Sequence, residues 1–471
     1  MKKKHWIPVC REIEADLETP VSVYLKLKNL GARILLESVE KGHAGRYSFI
    51  GMRPLSTLSI EPSRMVLDGK IFPFSRQDFL TCLRQILCSF GIPKNNGLPH
   101  FSGGWIGYLG YDVVRFFENL PPPKKQKNSL PLGQLYLIRE LIVFDHFKHT
   151  AKIVILLLPS ENRASAEKRF EKIREALDRP LLSPRLREKN SPSRKPSPNL
   201  TKREFERIIA RAKEYIFAGD IFQVVLSRKF SGDAPAAAFN IYRKLRMVNP
   251  SPYMFFLDFG KFQMAGSSPE TMARLSGQRA YLHPIAGTRP RGGNEEDDER
   301  LARELLHSEK DLAEHVMLVD MARNDLGKVC RPGTIRVVRK MGLERFSHVM
   351  HLVSEVEGCL EEKRDALDLF QAAFPAGTVT GAPKIRAMEI IDELEKDARG
   401  PYAGAVGYFG LDGSMDMCIA IRTILARQGK YILQAGAGIV ADSDPTAEYW
   451  ETADKMEGLY TAVKAAEGGG K

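Results

Sequence analysis

The residues best suited to chemistry are two pairs of carboxylates, each spaced three residues apart on a predicted helix. Asp311 and Glu314 lie in SEKDLAEHVMLVD, and Glu448 and Glu451 lie in DPTAEYWETADK. Residues at this spacing share one helix face, and Mg²⁺ is usually held by one or two carboxylates together with water and substrate oxygens. The pairs predict a magnesium site if the two helices meet, whereas exposed acidic turns on separate surfaces are the alternative.

Three further segments combine cations or glycine-rich backbone in ways that suit an anionic ligand. HPIAGTRPRG, residues 283–292, offers a Gly–Thr backbone and two guanidinium groups, which match carboxylates or phosphates. GTVTGAPK, residues 377–384, resembles a phosphate loop but departs from the Walker A spacing. Arg422 interrupts an apolar run, and a buried arginine needs an anion, either a structural partner or a substrate carboxylate.

Two histidines, His348 and His351, stand three residues apart in FSHVMHLVSE. Without an HExxH arrangement or a third ligand, the pattern does not indicate zinc. A buried structural histidine and an acid–base catalyst both fit the pattern. We expect the segment 346–356 to form a helix.

Composition narrows the class of protein. The chain has 471 residues, 43% hydrophobic and 27% charged, which suits a globular protein of two to four domains or one large one. Six cysteines without a CxxC pair are typical of a reducing compartment, and the longest aliphatic run, 153–158, is far too short to span a membrane. We therefore expect a cytoplasmic protein without a targeting segment and without a membrane partner.

The net charge of +12 could indicate nucleic acid, but much of the excess is local. The Pro-, Ser- and Lys/Arg-rich stretch around residues 184–202 has few apolar residues and is predicted to be a flexible linker. A nucleic-acid-binding surface would need aromatic residues among the basic ones, and the acidic helices would remain unexplained. We therefore expect no nucleic-acid partner. We divide the chain into an N-terminal part (1–180), a linker (181–200) and a C-terminal part (201–471).

The elements that must position these residues are short strands and amphipathic helices. In the N-terminal part, strands alternate with turns around one helix near 77–90. In the C-terminal part, a helix over 201–218 starts with a capping box, helical residues 295–324 break near Ser308, and a last helix covers 445–466. Adjacent strands joined by short turns favour an α+β fold of large antiparallel sheets packed with helices.

Seven segments of the C-terminal part, in order, resemble the chorismate-utilising enzymes: PIAGTRPRG, EHVMLVDMARNDLG, FSHVMHLVSEVEG, GTVTGAPKIRAME, YAGAVGYFG, CIAIRTI and QAGAGIVADSDPTAEYWET. LLESVEKGHAGRYSFIG and NPSPYMFFLDFG resemble, within that family, the component I subunits of anthranilate synthase. The resemblance implies the fold of these enzymes and a Mg²⁺-dependent reaction on chorismate.

Roles for individual residues follow from the resemblance, position by position. It implies Glu270 as general acid and His351 as the group required for the later elimination. The implied metal ligands are Glu314 and Glu451, with Asp311 and Glu448 at accessory positions; Asp311 departs from the glutamate often found there. The implied substrate contacts are Gly287, Thr288, Thr378, Tyr402, Arg422, Gly436, Ala437, Gly438 and Lys455.

The activity that the resemblance implies is conversion of chorismate and ammonia to anthranilate and pyruvate, the first committed step of tryptophan biosynthesis. The ammonia would come from glutamine through a separate amidotransferase subunit. Ala286 replaces a lysine nucleophile found in many aminodeoxychorismate synthases, and Gln223 replaces a water-activating lysine of isochorismate and salicylate synthases. Aminodeoxychorismate synthase remains the alternative, because some members lack that lysine.

The resemblance also implies feedback inhibition by tryptophan, bound away from the reacting centre. Ser38 and the segment Pro252, Tyr253 and Met254 match the family's tryptophan site, with Glu37 as a partner for the ligand's ammonium group. An ordinary hydrophobic strand that ends in a serine is the alternative. The N-terminal part is accordingly predicted to be regulatory and the C-terminal part catalytic.

Overall fold

The computed structural model of the protein describes residues 4–38, 46–92, 98–99, 101–124, 130–181, 195–234, 236–345 and 349–467. Most of the predicted linker, residues 182–194, lies outside the described residues, as does His348. The proposal of a flexible linker therefore stays a prediction.

Strands form where apolar and β-branched residues cluster, since such side chains fit a pleated, half-buried surface. In the N-terminal part they are β1 Lys4–His5, β2 Ile7–Glu14, β3 Ala32–Glu37, β4 Tyr47–Met52, β5 Ser56–Glu61, β6 Arg64–Leu67, β7 Lys70–Pro73, β8 Phe90–Gly91, β9 Gly104–Leu109, β10 Gly133–Ile138, β11 Glu140–Asp145 and β12 Thr150–Leu157.

The strands of the C-terminal part follow the same rule, and several residues of predicted function lie in them or in the short connections between them. They are β13 Ser197–Pro198, β14 Gln223–Asp233, β15 Tyr253–Asp258, β16 Gln263–Ser268, β17 Thr271–Ser276, β18 Arg279–Leu282, β19 Ile285–Pro290, β20 Arg336–Arg345, β21 Val349–Cys359, β22 Gly381–Ala382, β23 Ala405–Gly410, β24 Met415–Ile419, β25 Thr423–Arg427 and β26 Lys430–Ile439.

The helices begin at side-chain caps in most cases. They are α1 Pro20–Leu27, α2 Phe79–Leu87, α3 Arg163–Asp178, α4 Lys202–Phe217, α5 Ala238–Val248, α6 Glu295–His307, α7 Glu309–Gly327, α8 Ala366–Ala373, α9 Lys384–Leu394 and α10 Pro445–Ala466. Among these described helices, none combines the length and apolar character that a membrane crossing requires.

Helix boundaries in the C-terminal part follow the predicted signals. Thr201 and Glu204 form the capping box of α4: the Thr201 hydroxyl accepts a hydrogen bond from the Glu204 amide, and the Glu204 carboxylate accepts one from the Thr201 amide. Ser308 separates α6 from α7 and caps α7 by accepting from the Asp311 amide at 3.3 Å. The predicted break near Ser308 and the span 445–466 are confirmed.

Two twelve-stranded sheets, antiparallel throughout, contain strands from both parts of the chain. The first has the order β19-β21-β18-β17-β24-β23-β9-β10-β5-β6-β7, with β20 on β21, and the second β13-β14-β26-β25-β16-β15-β3-β4-β11-β12-β2, with β22 on β14. Pairing of β9 with β23 and of β3 with β15 joins the two parts. The predicted α+β fold of large antiparallel sheets with packed helices is confirmed.

The helix predicted for residues 346–356 is wrong. Val349–Cys359 forms strand β21, in which residues 350, 352, 354, 356 and 358 are buried and most of the residues between them are half-buried. This period of two is the pattern of a strand. β21 pairs with β18, β19 and β20, so hydrogen bonds to three strands outweigh the helical spacing of its apolar residues.

The apolar core divides into layers that follow the sheets. The largest cluster includes Trp105 and Phe370 and contains residues of both sheets with α2, α7 and α8. On the second sheet, α1, α3, α5 and α10 pack through residues such as Phe239 and Val463. A smaller cluster joins α4 and α9 to β14 and β26. The elements that carry the predicted site therefore rest on more than one apolar cluster.

A buried ion pair, Arg399 with Glu395, ties several of these elements together. Arg399 donates to both Glu395 oxygens at 2.7 and 3.0 Å, and to the carbonyls of Val379 and Val225 at 2.7 and 2.6 Å. Glu395 also accepts from the amide and hydroxyl of Ser227, at 2.8 and 2.9 Å. Both charged residues are at most 5% exposed, so each charge depends on these contacts.

We predict that Arg399→Met destabilises the protein by about 3–5 kcal/mol, because it leaves the Glu395 carboxylate buried without its partner. Arg211→Met is the matched control: Arg211 pairs with Glu214, both side chains are more than half exposed, and the expected change is about 0–1 kcal/mol. Urea unfolding followed by far-ultraviolet circular dichroism measures both. Equal midpoints for the two variants would contradict a structural role for the Arg399 pair.

Candidate active site

The N-terminal turns of α7, the first residue of β14 and the last residues of β26 lie together around the predicted metal ligand Glu314. Glu314, on the second turn of α7, accepts a hydrogen bond from the Gln223 side-chain amide at 3.1 Å. Gln223 is the first residue of β14, which pairs with β26. A Cβ atom on Gly438 of β26 would lie 2.6 Å from the same amide nitrogen. Gln223 therefore lies between a predicted metal ligand and a predicted substrate contact.

The acidic pair on α10 consists of Glu448 and Glu451, and the pKa of Glu448 is raised. Burial and, to a smaller extent, the charge of Glu451 raise the pKa of Glu448, while a hydrogen bond from Ser443 and the charges of Lys310 and Lys455 lower it. The Oε2 atom of Glu448 is buried without a hydrogen-bond partner. Lys310 belongs to α7, so its charge acts on Glu448 from a different helix.

Cationic side chains bind two of the predicted ligands. Asp311 accepts from Arg289 at 2.8 Å, and Glu451 accepts from Lys455 at 2.6 Å. Within the described residues, no three Asp, Glu, His or Cys side chains stand close enough to ligate one ion in this arrangement. The predicted ligands nevertheless supply hard carboxylate oxygens, one of them buried and unsatisfied, which is the chemistry that suits Mg²⁺.

Arg422 lies in the connection between β24 and β25, at the centre of the predicted substrate contacts. Its φ of +50° is in the left-handed region, which is uncommon outside glycine and frequent at functional sites. It donates to the Lys455 carbonyl at 3.2 Å. Burial lowers the pKa of Arg422, whereas Tyr402 and Glu451 favour its charged form. The guanidinium is thus partly desolvated and suited to bind an anion.

Lys455 and Tyr402 complete this group around β26. The Lys455 ammonium donates to the Gly436 carbonyl at 3.0 Å. A Cβ atom on Gly436 would lie 2.6 Å from the Tyr402 hydroxyl and 3.0 Å from the Leu226 carbonyl, so glycine is required for this close approach. Burial raises the pKa of Tyr402 to about 12, which keeps its hydroxyl protonated as a donor. Ala437, between the two glycines, is buried in the helix-facing core.

His351 lies on β21 opposite Thr288 of β19. Its Nδ1 atom is 3.0 Å from the Gly287 carbonyl and 3.1 Å from the Thr288 hydroxyl. A carbonyl can only accept, so Nδ1 carries a proton and the neutral ring keeps its basic lone pair on Nε2. Burial is the main cause that lowers the pKa of His351, and Arg422 lowers it further. The neutral form is therefore favoured.

Gly287, next to Thr288, shapes the contact of this strand with α7. Its φ is +63°, and a Cβ atom there would lie 2.7 Å from Leu305 and 3.2 Å from the Cβ atom of Asp311. Only glycine fits both the conformation and the space. The predicted acid–base histidine consequently adjoins the helix that carries Asp311.

Glu270 lies between β16 and β17, where it is 8% exposed. Its carboxylate accepts from the Thr378 hydroxyl at 2.7 Å, and burial raises its pKa to about 7 although the Thr378 hydrogen bond lowers it. The Glu270 carbonyl accepts from the Ile419 amide at 3.0 Å, and the Ser267 amide donates to the Arg422 carbonyl at 3.1 Å. These backbone bonds place Glu270 close to the segment that carries Arg422. With its raised pKa, the Glu270 carboxyl group is partly protonated near neutral pH.

Two features of the predicted anion-binding segments differ from a phosphate site. Lys384, at the end of the loop that resembles a phosphate loop, is half-buried and donates to Asp325 at 2.7 Å. Arg291, in the other segment, binds Asp298. Both cations are neutralised within the protein. Spacing alone could not reveal these partners, because each carboxylate comes from a different element.

The residues predicted to bind tryptophan, Glu37, Ser38, Pro252, Tyr253 and Met254, line one cavity of about 530 Å³. This cavity also includes Pro269 and Thr271, on either side of Glu270. The Tyr253 hydroxyl donates to Asp416 at 2.9 Å. Burial raises the pKa of Glu37, whose carboxylate accepts from Tyr242 and Arg246. Internal donors therefore already bind Glu37, and its role as a partner for the ligand's ammonium group stays a prediction.

Comparison with known proteins agrees with this architecture. The sequence model of the family described as chorismate binding enzyme matches residues 31–461. Anthranilate synthase component 1 of Aquifex aeolicus is 45% identical over 98% of this chain and 95% of its own length, and that of Thermus thermophilus is 44% identical over 98% and 99%.

Solved structures show the same fold. The crystal structure of anthranilate synthase component I from Streptococcus pneumoniae superposes with a TM-score of 0.80 at 35% identity, covering 90% of this chain and 94% of that one. The menaquinone-specific isochorismate synthase of Escherichia coli shares the fold, with a TM-score of 0.72 at 21% identity over 98% of this chain and 96% of that one. The chain belongs to the family of chorismate-binding enzymes, in the group represented by anthranilate synthase component 1.

Proposed function

We propose that the chain converts chorismate and ammonia to anthranilate, pyruvate and water, the first committed step of tryptophan biosynthesis. The observation that carries the proposal is the identity of 45% to an anthranilate synthase component 1 along nearly the whole chain. The convergence of Arg422, Tyr402 and the glycine-rich end of β26 supports it, since these groups suit a carboxylated substrate. The sparse cysteines support a reducing, cytoplasmic location.

Substrate binding uses donors from three elements. Arg422 binds one carboxylate of chorismate together with the Tyr402 hydroxyl and the backbone amides of residues 436–438. Thr378, Gly287 and Thr288 contact the remainder of the molecule. The partial burial of Arg422 strengthens this charge-assisted binding, because water competes less for its donors.

Mg²⁺ is the proposed cofactor, held by Glu314 and Glu451 with Glu448 at an accessory position. The unsatisfied Oε2 atom of Glu448 and its mutual repulsion with Glu451 support this, because a cation would relieve both. Once bound, the ion supplies positive charge that stabilises a substrate carboxylate and draws electron density from the ring. Asp311 is paired with Arg289, and we propose that it holds that arginine beside an accessory metal position.

Glu270 and His351 supply the proton transfers. Glu270 donates a proton to the C4 hydroxyl of chorismate, which leaves as water while ammonia adds at C2. His351 then accepts the C2 proton through Nε2 as the C3–O bond breaks and enolpyruvate leaves. The added ammonium group loses one proton, and enolpyruvate takes up one proton at its methylene carbon, which gives pyruvate. The pKa of Glu270, raised to about 7, suits a group that must carry a proton near neutrality.

Aminodeoxychorismate synthase is the second candidate, and product analysis separates the two. With chorismate, Mg²⁺ and ammonium salt, we predict the fluorescence and retention time of anthranilate in a chromatographic assay. A para-amino product, or isochorismate, would contradict our assignment.

In the same assay we expect ammonia but not glutamine to be used, because an amidotransferase subunit is the proposed partner that hydrolyses glutamine. Glutamine-dependent turnover by the pure chain would contradict the proposal that a separate subunit hydrolyses glutamine.

The pH dependence tests the role of Glu270. A general acid must be protonated, so the rate per free NH₃ should fall about tenfold per pH unit above pH ~7. Thr378→Val removes the hydrogen bond that lowers the Glu270 pKa, so the decline should move to higher pH. Glu270→Gln should abolish turnover. Initial rates from pH 6 to 9, with free NH₃ held constant, measure this, and a flat profile for the unmodified chain would exclude Glu270 as the acid.

Feedback inhibition by tryptophan is proposed for the cavity that Ser38, Pro252, Tyr253 and Met254 line. Its volume of about 530 Å³ accommodates an amino acid with an indole ring. The carboxylates of Glu37, Asp416 and Glu355 line the cavity and are the proposed partners for the ammonium group, although internal donors also bind each of them. Inhibition further requires that tryptophan binds an inactive arrangement more tightly than the active one.

We predict that Ser38→Arg relieves tryptophan inhibition and leaves uninhibited turnover within about twofold of the unmodified chain, since a bulky cation would fill the cavity. Ser63→Arg is the control, because Ser63 is exposed in a turn between β5 and β6 and lies outside the cavity. Inhibition curves measured at fixed chorismate compare the three proteins. Activity of the unmodified chain that is insensitive to millimolar tryptophan would contradict the regulatory site.

A further inference from the structure

Arg228, in the middle of β14, is a buried cation surrounded by aromatic rings. It is 1% exposed, and its guanidinium lies 4.9 Å from the ring centre of Phe205, 5.0 Å from that of Phe230 and 3.9 Å from that of Tyr449. Cation–π contacts of this kind stabilise a desolvated guanidinium only partly. The residue therefore occupies a position where an apolar side chain would be expected.

The hydrogen bonds of Arg228 are directed at one turn of α10. Its Nε atom donates to the Thr452 hydroxyl at 2.9 Å, and Nη2 donates to the Tyr449 carbonyl at 2.8 Å. Nη1 is buried without a hydrogen-bond partner, and no carboxylate among the described residues forms an ion pair with Arg228. Burial lowers the pKa of Arg228. A buried cation without an anion is costly, so its contribution to stability does not explain its presence.

The two residues that Arg228 binds directly follow the two glutamates of α10. Tyr449 follows Glu448 and Thr452 follows Glu451, and each step along a helix rotates the side-chain direction by about 100°. Two hydrogen bonds to one turn, from a planar group fixed on a strand, restrain both the rotation of α10 about its axis and its position along that axis. The direction of both glutamates is thereby fixed.

We propose that Arg228 is a positioning residue that sets the orientation of α10 so that Glu448 and Glu451 face the Mg²⁺ position. The inference rests on the proposed function, which assigns the metal to these glutamates. It extends that function to a residue that contacts neither substrate nor metal. Arginine suits this role because its fork donates in two fixed directions, whereas lysine donates from a single point.

Metal binding and stability together test the role of Arg228. Free Mn²⁺ is titrated by electron paramagnetic resonance in the presence of chorismate and without ammonium, and melting temperature is measured separately. For Arg228→Met we expect the Mn²⁺ dissociation constant to rise about tenfold or more, as for other residues that orient metal ligands. The melting temperature should stay equal or rise, because a buried charge is replaced by an apolar side chain. Arg228→Lys should restore only part of the affinity.

Two further variants control for packing. Thr452→Val keeps the shape of the side chain but removes the hydroxyl that accepts a hydrogen bond from Arg228. This variant should also weaken Mn²⁺ binding. Met456→Leu changes the buried apolar face of the same helix and should leave Mn²⁺ binding unchanged. A lower melting temperature with unchanged Mn²⁺ affinity in both Arg228→Met and Thr452→Val would show a merely structural role and overturn the proposal.

Glu451→Gln separates this inference from the proposed function. If Glu451→Gln binds Mn²⁺ as well as the unmodified chain, the metal assignment itself is overturned. If Glu451→Gln loses Mn²⁺ while Arg228→Met and Thr452→Val retain it, only the positioning role of Arg228 is overturned. Weaker Mn²⁺ binding in Glu451→Gln, Arg228→Met and Thr452→Val, with unchanged binding in Met456→Leu, supports both the metal assignment and the positioning role of Arg228.

Discussion

The architecture depends on the requirement that each buried charge be matched by donors or acceptors at hydrogen-bond distance. The Arg399–Glu395 pair meets this requirement with contacts to the backbone of β14, to the loop at Val379 and to Ser227. The Arg399 guanidinium also lies 4.8 Å from the ring centre of Tyr111, in the N-terminal part. One ion pair thus connects the strand of Gln223 and Arg228 with the loop of Thr378 and with a distant segment of the chain.

The alternation of side chains along an extended segment explains how Glu270 and the cavity at Tyr253 lie next to each other on opposite sides of the chain. Neighbouring residues on an extended segment point to opposite sides. Glu270 faces Thr378, whereas Pro269 and Thr271 on either side line the cavity at Tyr253. Tyr253 is also within 3.0 Å of the Thr271 hydroxyl. Glu270 and the lining of the cavity are therefore joined directly along the chain.

Local signals in the sequence predicted much of the fold but few of its long-range contacts. The capping box at Thr201, the break at Ser308 and the span of α10 were predictable because adjacent residues determine them. The strand nature of 349–359 was not, because β18, β19 and β20 supply its hydrogen bonds. Resemblance identified residues that the structure brings together, such as Glu270 and Thr378. It could not reveal that Arg246 already binds Glu37, since that arginine lies 209 residues away.

Mixing strands from both parts of the chain has a consequence for biosynthesis. One partner of β3 is β15 and one partner of β9 is β23, and the residues of both are synthesised more than two hundred positions later. Until the ribosome has released those strands, β3 and β9 each expose an unpaired edge that could associate with another nascent chain. Strands β2, β3, β4, β11 and β12 pair among themselves within the N-terminal part, as do β5, β6, β7, β9 and β10. The two sheets are nevertheless complete only after the last strands of the chain have been synthesised.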